Sequence, residues 1–189
     1  MNSAEVPIPS VDALVRALQS EDDQIRGPAW QNAAQTGADA VAPLAALLTH
    51  PRFEVARSAR RALARIVRHA GRPGAPAEAR KVEGELATLL RNPAAVIRRE
   101  ALALLSEIGS EDAIVPVARL LADPEVREDA RCALMRFPGP TATASLRRAF
   151  EATTDDFRFA LAESLRRRGE AVDGYPSAKK TPAKRTLVG

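Results

Sequence analysis

Aromatic residues are scarce in this chain of 189 residues: five Phe, one Trp and one Tyr, or 4%. A core built on large rings is therefore excluded, and with Ala and Leu dominant the packing expected is thin, helix on helix. The single cysteine, Cys132, excludes an internal disulfide and fits a reducing compartment, so the expected location is cytoplasmic. No apolar run reaches the roughly 18 residues of a membrane span, so no membrane partner is expected. The opening MNSAEVPIPS has neither a basic n-region nor an apolar h-region, and no secretory signal is read there. The two histidines, His50 and His69, stand on no metal-ligand spacing. A glycine-rich phosphate loop, a nucleophile elbow and an HExxH pair are all missing, so no metal, cofactor or catalytic residue is assigned and the chain is not read as an enzyme.

Charge of one sign is also lacking over most of the length. The net +4 comes wholly from residues 174–189, which hold Lys179, Lys180, Lys184 and Arg185 and no acid. The body before them is balanced, so the high isoelectric point does not by itself mark a nucleic-acid binder.

What the chain does have is a repeat. Residues 97–109, IRREALALLSEIG, place Ile97, Ala101, Leu104, Leu105 and Ile108 on one helical face, with Gly109 positioned to end the helix. Four other segments align with it on their first apolar anchor: Ile25, Val55, Val126 and Phe157 beside Ile97. Four residues on stand Ala29, Ala59, Ala101, Ala130 and Leu161; eight on stand Ala33, Leu63, Leu105, Leu134 and Leu165. A shorter apolar helix precedes each anchor, ending at Leu18, Leu48, Leu90, Leu121 or Phe150. Two amphipathic helices in a period of about 30 residues predict an α-solenoid, because one such unit has too little apolar surface to close a core alone. Small residues after the anchor let paired helices approach closely.

Three stretches carry a family resemblance: VARLLADPEVREDARCAL (117–134), LRNPAAVIRREALALLSEIG (90–109) and LLTHPRFEVARSARRAL (47–63). Each resembles a HEAT repeat, in particular the short HEAT-like repeats related to phycobilisome lyases. His50 stands where that family usually has Asp or Asn. The outer repeats depart further, at Asn32 and Ala33 and at Phe150 and Ser164. The resemblance covers about residues 11–168 and implies a right-handed α-solenoid of about five two-helix repeats, about ten helices. It also implies that the second helices line the concave surface.

Along the chain, residues 1–9 read as a flexible lead-in kept extended by Pro7 and Pro9. The repeat domain spans 10–169, with units near 10–37, 38–71, 77–109, 110–138 and 140–169; GRPGAP at 71–76 interrupts it. Ser10, Ser110 and Thr141 are expected helix caps. The second helix is expected from about Asp23 to Gln35, with Pro28 early enough to cost little. His50, Asn92 and Asp123 each precede a proline between paired helices, a pattern of repeated turn chemistry. Residues 170–189 read as a disordered basic tail.

The candidate sites are arginines. Residues 52–72 hold seven of them against Glu54 alone, and Arg57, Arg61, Arg65 and Arg68 step round the side of their helix away from its apolar face. They would form a patch for acidic protein or phosphate, or a solvated face paired with carboxylates of neighbouring repeats. A second series, Arg26, Arg60, Arg98, Arg127, Arg131 and Arg158, sits one or five residues after the anchors, on one flank of every second helix. It is either an inter-repeat ladder with Asp and Glu or the lining of a binding groove. Trp30 lies on the same flank, as a ligand anchor or as cover for the open end of the first repeat. Cys132 reads as a packing residue. The leading expectation is a monomeric, non-catalytic scaffold holding another protein on its concave face, with the arginine-rich surface suggesting an acidic partner. Nucleic-acid binding through the Arg face and tail is the alternative. DNA-glycosylase-like or bilin-lyase-like activity, which related repeats support, is the weaker variant, since Trp30 and Tyr175 are the only Trp and Tyr.

Overall fold

The computed structural model describes residues 10–175; the expected lead-in at 1–9 and most of the expected tail lie outside them. Among the described residues the chain is all helix: ten α-helices, with short 3-10 turns at some ends and no strand. They form five antiparallel pairs: α1 (Val11–Leu18) with α2 (Asp23–Gln31), α3 (Val41–Ala46) with α4 (Phe53–Ala70), and α5 (Pro76–Leu89) with α6 (Ala95–Ile108). The last two pairs are α7 (Ile114–Arg119) with α8 (Arg127–Arg136) and α9 (Pro140–Ala152) with α10 (Phe157–Arg167). The second helices stack on one another in chain order, α2 on α4, α4 on α6, α6 on α8 and α8 on α10, while α1, α3 and α5, and then α7 and α9, make the other layer. This is an α-solenoid.

One apolar cluster runs unbroken from Leu14 to Leu165. The anchors Val55, Ile97, Val126 and Phe157 are buried in it, and so are Ala59, Ala101 and Ala130 four residues on. An alanine there presents only a methyl group, which is what lets neighbouring second helices close on each other. Ile25 is different: it is 50% exposed, and the only buried residue of α2 is Arg26. Among the described residues no further helix pair lies against the outer side of the first repeat.

The turns inside the pairs repeat one device. Asp22, His50, Asn92, Asp123 and Asp155 each accept, through a side-chain atom, the backbone N–H two residues on, at 2.8, 3.1, 3.0, 3.0 and 3.0 Å respectively. Each satisfies a donor that the start of a second helix would otherwise leave open. The polar residue before proline is thus turn chemistry, and Asp22 and Asp155 make the same bond in two further turns where no proline follows.

Three local expectations differ from the structure. α2 stops at Gln31 and continues only as a 3-10 turn, Ala33–Thr36. Gly27 and Pro28 both lower helix propensity within those nine residues. Thr141 is not a cap: Pro140 begins α9, and Thr141 donates instead to Glu111 at 2.6 Å, joining the last two first helices. Ser10 and Ser110 do cap, accepting from Ala13 and Asp112.

The start of the expected tail is also packed. Tyr175 meets Phe150 and Phe159 edge to face at 5.2 and 5.4 Å, and the Arg158 guanidinium lies over both Phe150 and Tyr175. Arg166 donates to the carbonyls of Val172 and Tyr175, and Arg147 pairs with Glu170 at 2.6 Å. Residues 170–175 therefore cover the outer face of the last repeat, whose apolar side would otherwise meet water.

Gly109 ends α6 with an ordinary negative φ, so its requirement is space rather than conformation. A Cβ there would stand 2.6 Å from both the Leu105 carbonyl and the Phe137 ring. Gly109→Ala is expected to lose about 1–3 kcal/mol by overpacking, read as a lower urea midpoint at unchanged m-value. A neutral result would mean that Phe137 moves aside freely.

Candidate functional site

The two arginine series meet on the second-helix layer, and most of their members are already engaged. Arg26 is buried and donates to the Ser20 carbonyl at 2.6 Å and to Asp23. Arg98, also buried, makes the same six-residue reach to the Asn92 carbonyl at 2.7 Å. It adds Pro93 and then crosses to the next repeat, to Glu125 at 2.8 Å and Asp123 at 3.2 Å. Arg99 reaches Asp129, and Arg127 reaches Asp155 at 2.6 Å with its guanidinium over the Phe157 ring. Arg131 bonds Glu128 and, across the repeat boundary, the Ser164 hydroxyl at 2.7 Å. Arg158 is committed to the aromatic rings of the C-terminal cover, its Nε buried without a hydrogen-bond partner.

The second helix α4 shows the same economy. Of the seven arginines between residues 52 and 72, Arg52 reaches Glu21 and the Gln19 carbonyl, Arg57 pairs with Glu54, and Arg60 with Glu100 at 2.6 Å. Arg68 faces Glu107 at 3.7 Å, and Arg72 makes a two-pronged pair with Glu78 at 2.7 and 2.8 Å. The charge excess that stands out along the sequence is largely answered from neighbouring repeats.

Arg61 and Arg65 are the exceptions. Both are exposed on the side of α4 facing α2, and neither has a carboxylate within ion-pair reach among the described residues. Their guanidinium carbons lie 4.9 and 5.8 Å from the centroid of the Trp30 ring, a cation–π arrangement worth about 0.5–1 kcal/mol at an exposed site. The indole gathers two cations that remain exposed to solvent. Trp30 thus does the work of a carboxylate row where α2 has none to offer.

Two carboxylates are held below their ordinary range by their partners. Hydrogen bonding from Arg127, and then from the Phe157 backbone N–H, holds Asp155 below the usual carboxylate range. Arg72 does the same to Glu78, and Glu78 in turn raises Arg72. Cys132 is exposed, and no cluster of three or more His, Cys, Asp or Glu that would hold a metal occurs among the described residues. No helix there is long and apolar enough to cross a membrane.

A stack of helix pairs with a repeated turn and a continuous core defines an α-helical repeat protein. Residues 82–166 match the family model of HEAT repeats. No curated protein matches the sequence. Among solved structures, an engineered protein is similar over 82% of this chain and 77% of its own, at 24% identity and TM-score 0.42. A designed armadillo repeat protein, solved in complex with the peptide (KR)4, is similar over 82% and 79%, at 20% identity and TM-score 0.45.

Two predictions separate structural from available arginines. Arg98→Ala removes a buried guanidinium with its bonds to two part-buried carbonyls and two facing acids, and is expected to cost roughly 1–3 kcal/mol in chemical denaturation. Arg61→Ala, which loses only an exposed cation–π contact, should cost no more than about 1 kcal/mol; equal losses would overturn the distinction. Because Asp155 is depressed in the folded state, its contribution is fully present above the ordinary carboxylate pKa and is lost as pH falls through the lower folded value. Asp155→Asn should therefore flatten the stability–pH curve below about pH 4, measured by thermal melts at successive pH values.

Proposed function

We propose that the chain is a non-catalytic interaction scaffold that binds an acidic segment of another protein on its second-helix layer, taken as the concave face. HEAT and armadillo-like solenoids commonly serve as protein-interaction scaffolds, and curved stacked helices offer a long surface without needing reactive groups. The observation that carries the specific reading is the Trp30, Arg61 and Arg65 cluster. Two guanidinium groups are held against the indole, exposed, and unmatched by any acid among the described residues. A partner's carboxylates complete the pairing that the rest of the layer makes internally, with little side-chain entropy left to lose. The remaining arginines of the series (Arg26, Arg57, Arg60, Arg68, Arg98, Arg127, Arg131 and Arg158) stand in this reading as the supports of that face. A monomer working in the cytoplasm suits a chain with a single cysteine.

Nucleic-acid binding is the second reading, because the same two cations would equally meet phosphates. It makes a different quantitative demand. Two free arginines give a log–log salt slope of about −2 for duplex binding, whereas use of the whole α4 face would give about −4 to −5.

Trp30 is the sole tryptophan, so its fluorescence reports this site alone. Titration with an oligoglutamate peptide is expected to give a saturating change in emission, and Arg61→Ala or Arg65→Ala should weaken the affinity about tenfold each, near 1.4 kcal/mol. No change up to millimolar peptide, with a salt-steep change on adding duplex DNA, would replace the protein reading by the nucleic-acid one.

A further inference from the structure

The ion pairs between repeats run mostly through the second helices and the turns before them, Glu78 of α5 with Arg72 being the first-helix case. The first helices are different. Between α7 and α9 lies an open groove of about 650 Å³, separate from the Trp30 cluster. α7 with its 3-10 extension lines it with Val115, Ala118, Arg119 and Ala122, and α9 with Ser145, Arg148, Ala149 and Ala152. On each helix these positions follow the 0, 3, 4, 7 rhythm of a single face. Two turns of helix make a groove about 10 Å long, which accommodates about three residues of extended chain.

The floor is alanine, and Val115 is 53% exposed although its side chain is purely apolar. The rim is cationic. Arg119 and Arg148 are both exposed and make no hydrogen bond, ion pair or ring contact with any described residue. The acid in the lining is Asp155, and Arg127 neutralises it at 2.6 Å. One cation thus stands on each wall, unopposed, over an apolar floor.

We propose that this groove binds a short acidic peptide segment of a partner protein: an extended stretch with a small aliphatic side chain seated on Val115, Ala118 and Ala149, and flanking carboxylates taken by Arg119 and Arg148. The sign of the rim excludes the chain's own C-terminal segment, whose Lys179, Lys180, Lys184 and Arg185 are of like charge with no acid among residues 176–189. The inference goes beyond the Trp30 reading and does not depend on it, since the two sites lie in different layers and different repeats.

The test is fluorescence anisotropy of a labelled peptide of alternating Glu and Val titrated with the full chain. Four variants are compared: Arg119→Ala with Arg148→Ala, Val115→Glu, Ala152→Trp, and Arg61→Ala with Arg65→Ala. The first three alter exposed positions, and unchanged melting curves confirm that each variant is folded. The expected result is saturable binding, weakened at least tenfold by the paired Arg119 and Arg148 changes and by Val115→Glu, reduced by Ala152→Trp, and unaffected by the paired Arg61 and Arg65 changes. Binding lost only in the Arg61 and Arg65 variant would assign the peptide to the Trp30 cluster, overturning this inference while supporting the proposed function. Absence of binding up to millimolar protein would also overturn it. So would self-association in sedimentation that the Arg119 and Arg148 changes abolish, since the occupant would then be a second copy.

Discussion

A pair of helices from about thirty residues has apolar side chains facing two neighbours and too few of them to close a core by itself. Everything else in this molecule follows from that shortage. The anchors Val55, Ile97, Val126 and Phe157 are buried because another repeat lies against them. The outermost described repeats depart from this pattern. The first exposes Ile25 and buries the stem of Arg26; on the last, residues 170–175 fold back, with Tyr175 against Phe150 and Phe159. One gives up an apolar anchor and the other gains a cover.

Stacking also decides what the arginines do. A guanidinium beside a repeat boundary finds turn carbonyls and carboxylates of the next unit within its reach, and its planar fork suits both. Arg98 uses that geometry most fully, with two carbonyls behind it and two acids ahead. Such pairs are individually modest where exposed, but they fix the register of one repeat on the next. The excess of six positive charges along residues 52–72 is therefore a property of the sequence order and much less of the surface. Counting charge along a chain misjudges a solenoid, because the compensating acids lie about thirty or forty residues away.

The architecture was legible because it is written five times. Anchor spacing, the small residue four positions on and the polar residue before proline each recur, and recurrence separates pattern from chance. What occurs once was not legible. Thr141 has the look of a cap, yet Gly139 and Pro140 start the helix before it, and Glu111 of the neighbouring repeat takes its hydroxyl. Tyr175 stands in a stretch too poor in apolar residues to suggest packing, and its partners are brought to it only by the end of the stack. The groove between α7 and α9 was missed for another reason. Its arginines follow no anchor offset, and its alanines look like ordinary helix formers until two first helices are set side by side. The signal that would have found it is alanine on a helix face next to a lone arginine, in two successive repeats.

The pattern of used and unused arginines has one physical source. Ion pairing between repeats requires an acid on the facing element, and facing elements differ along the stack. α6 offers Glu100 and Glu107 to α4; α8 and the turn before it offer Asp123, Glu125 and Asp129 to α6, and the turn before α10 offers Asp155 to α8. α2 has a single acid, Asp23, already held by Arg26, so the α4 arginines on that side settle on Trp30 instead. Along the first helices the bonds between successive repeats are Glu83 to Ser110 and Thr141 to Glu111, with no arginine in either. Arg119 and Arg148 are thus left out of the internal pairing by position, as Arg61 and Arg65 are by the composition of α2. In a body of balanced charge, cations left without an acid become available to a partner, and here they lie next to apolar surface: the indole of Trp30 in one layer, Val115 and the alanine floor in the other. Carboxylate beside a small aliphatic or aromatic group is the chemistry that both places fit.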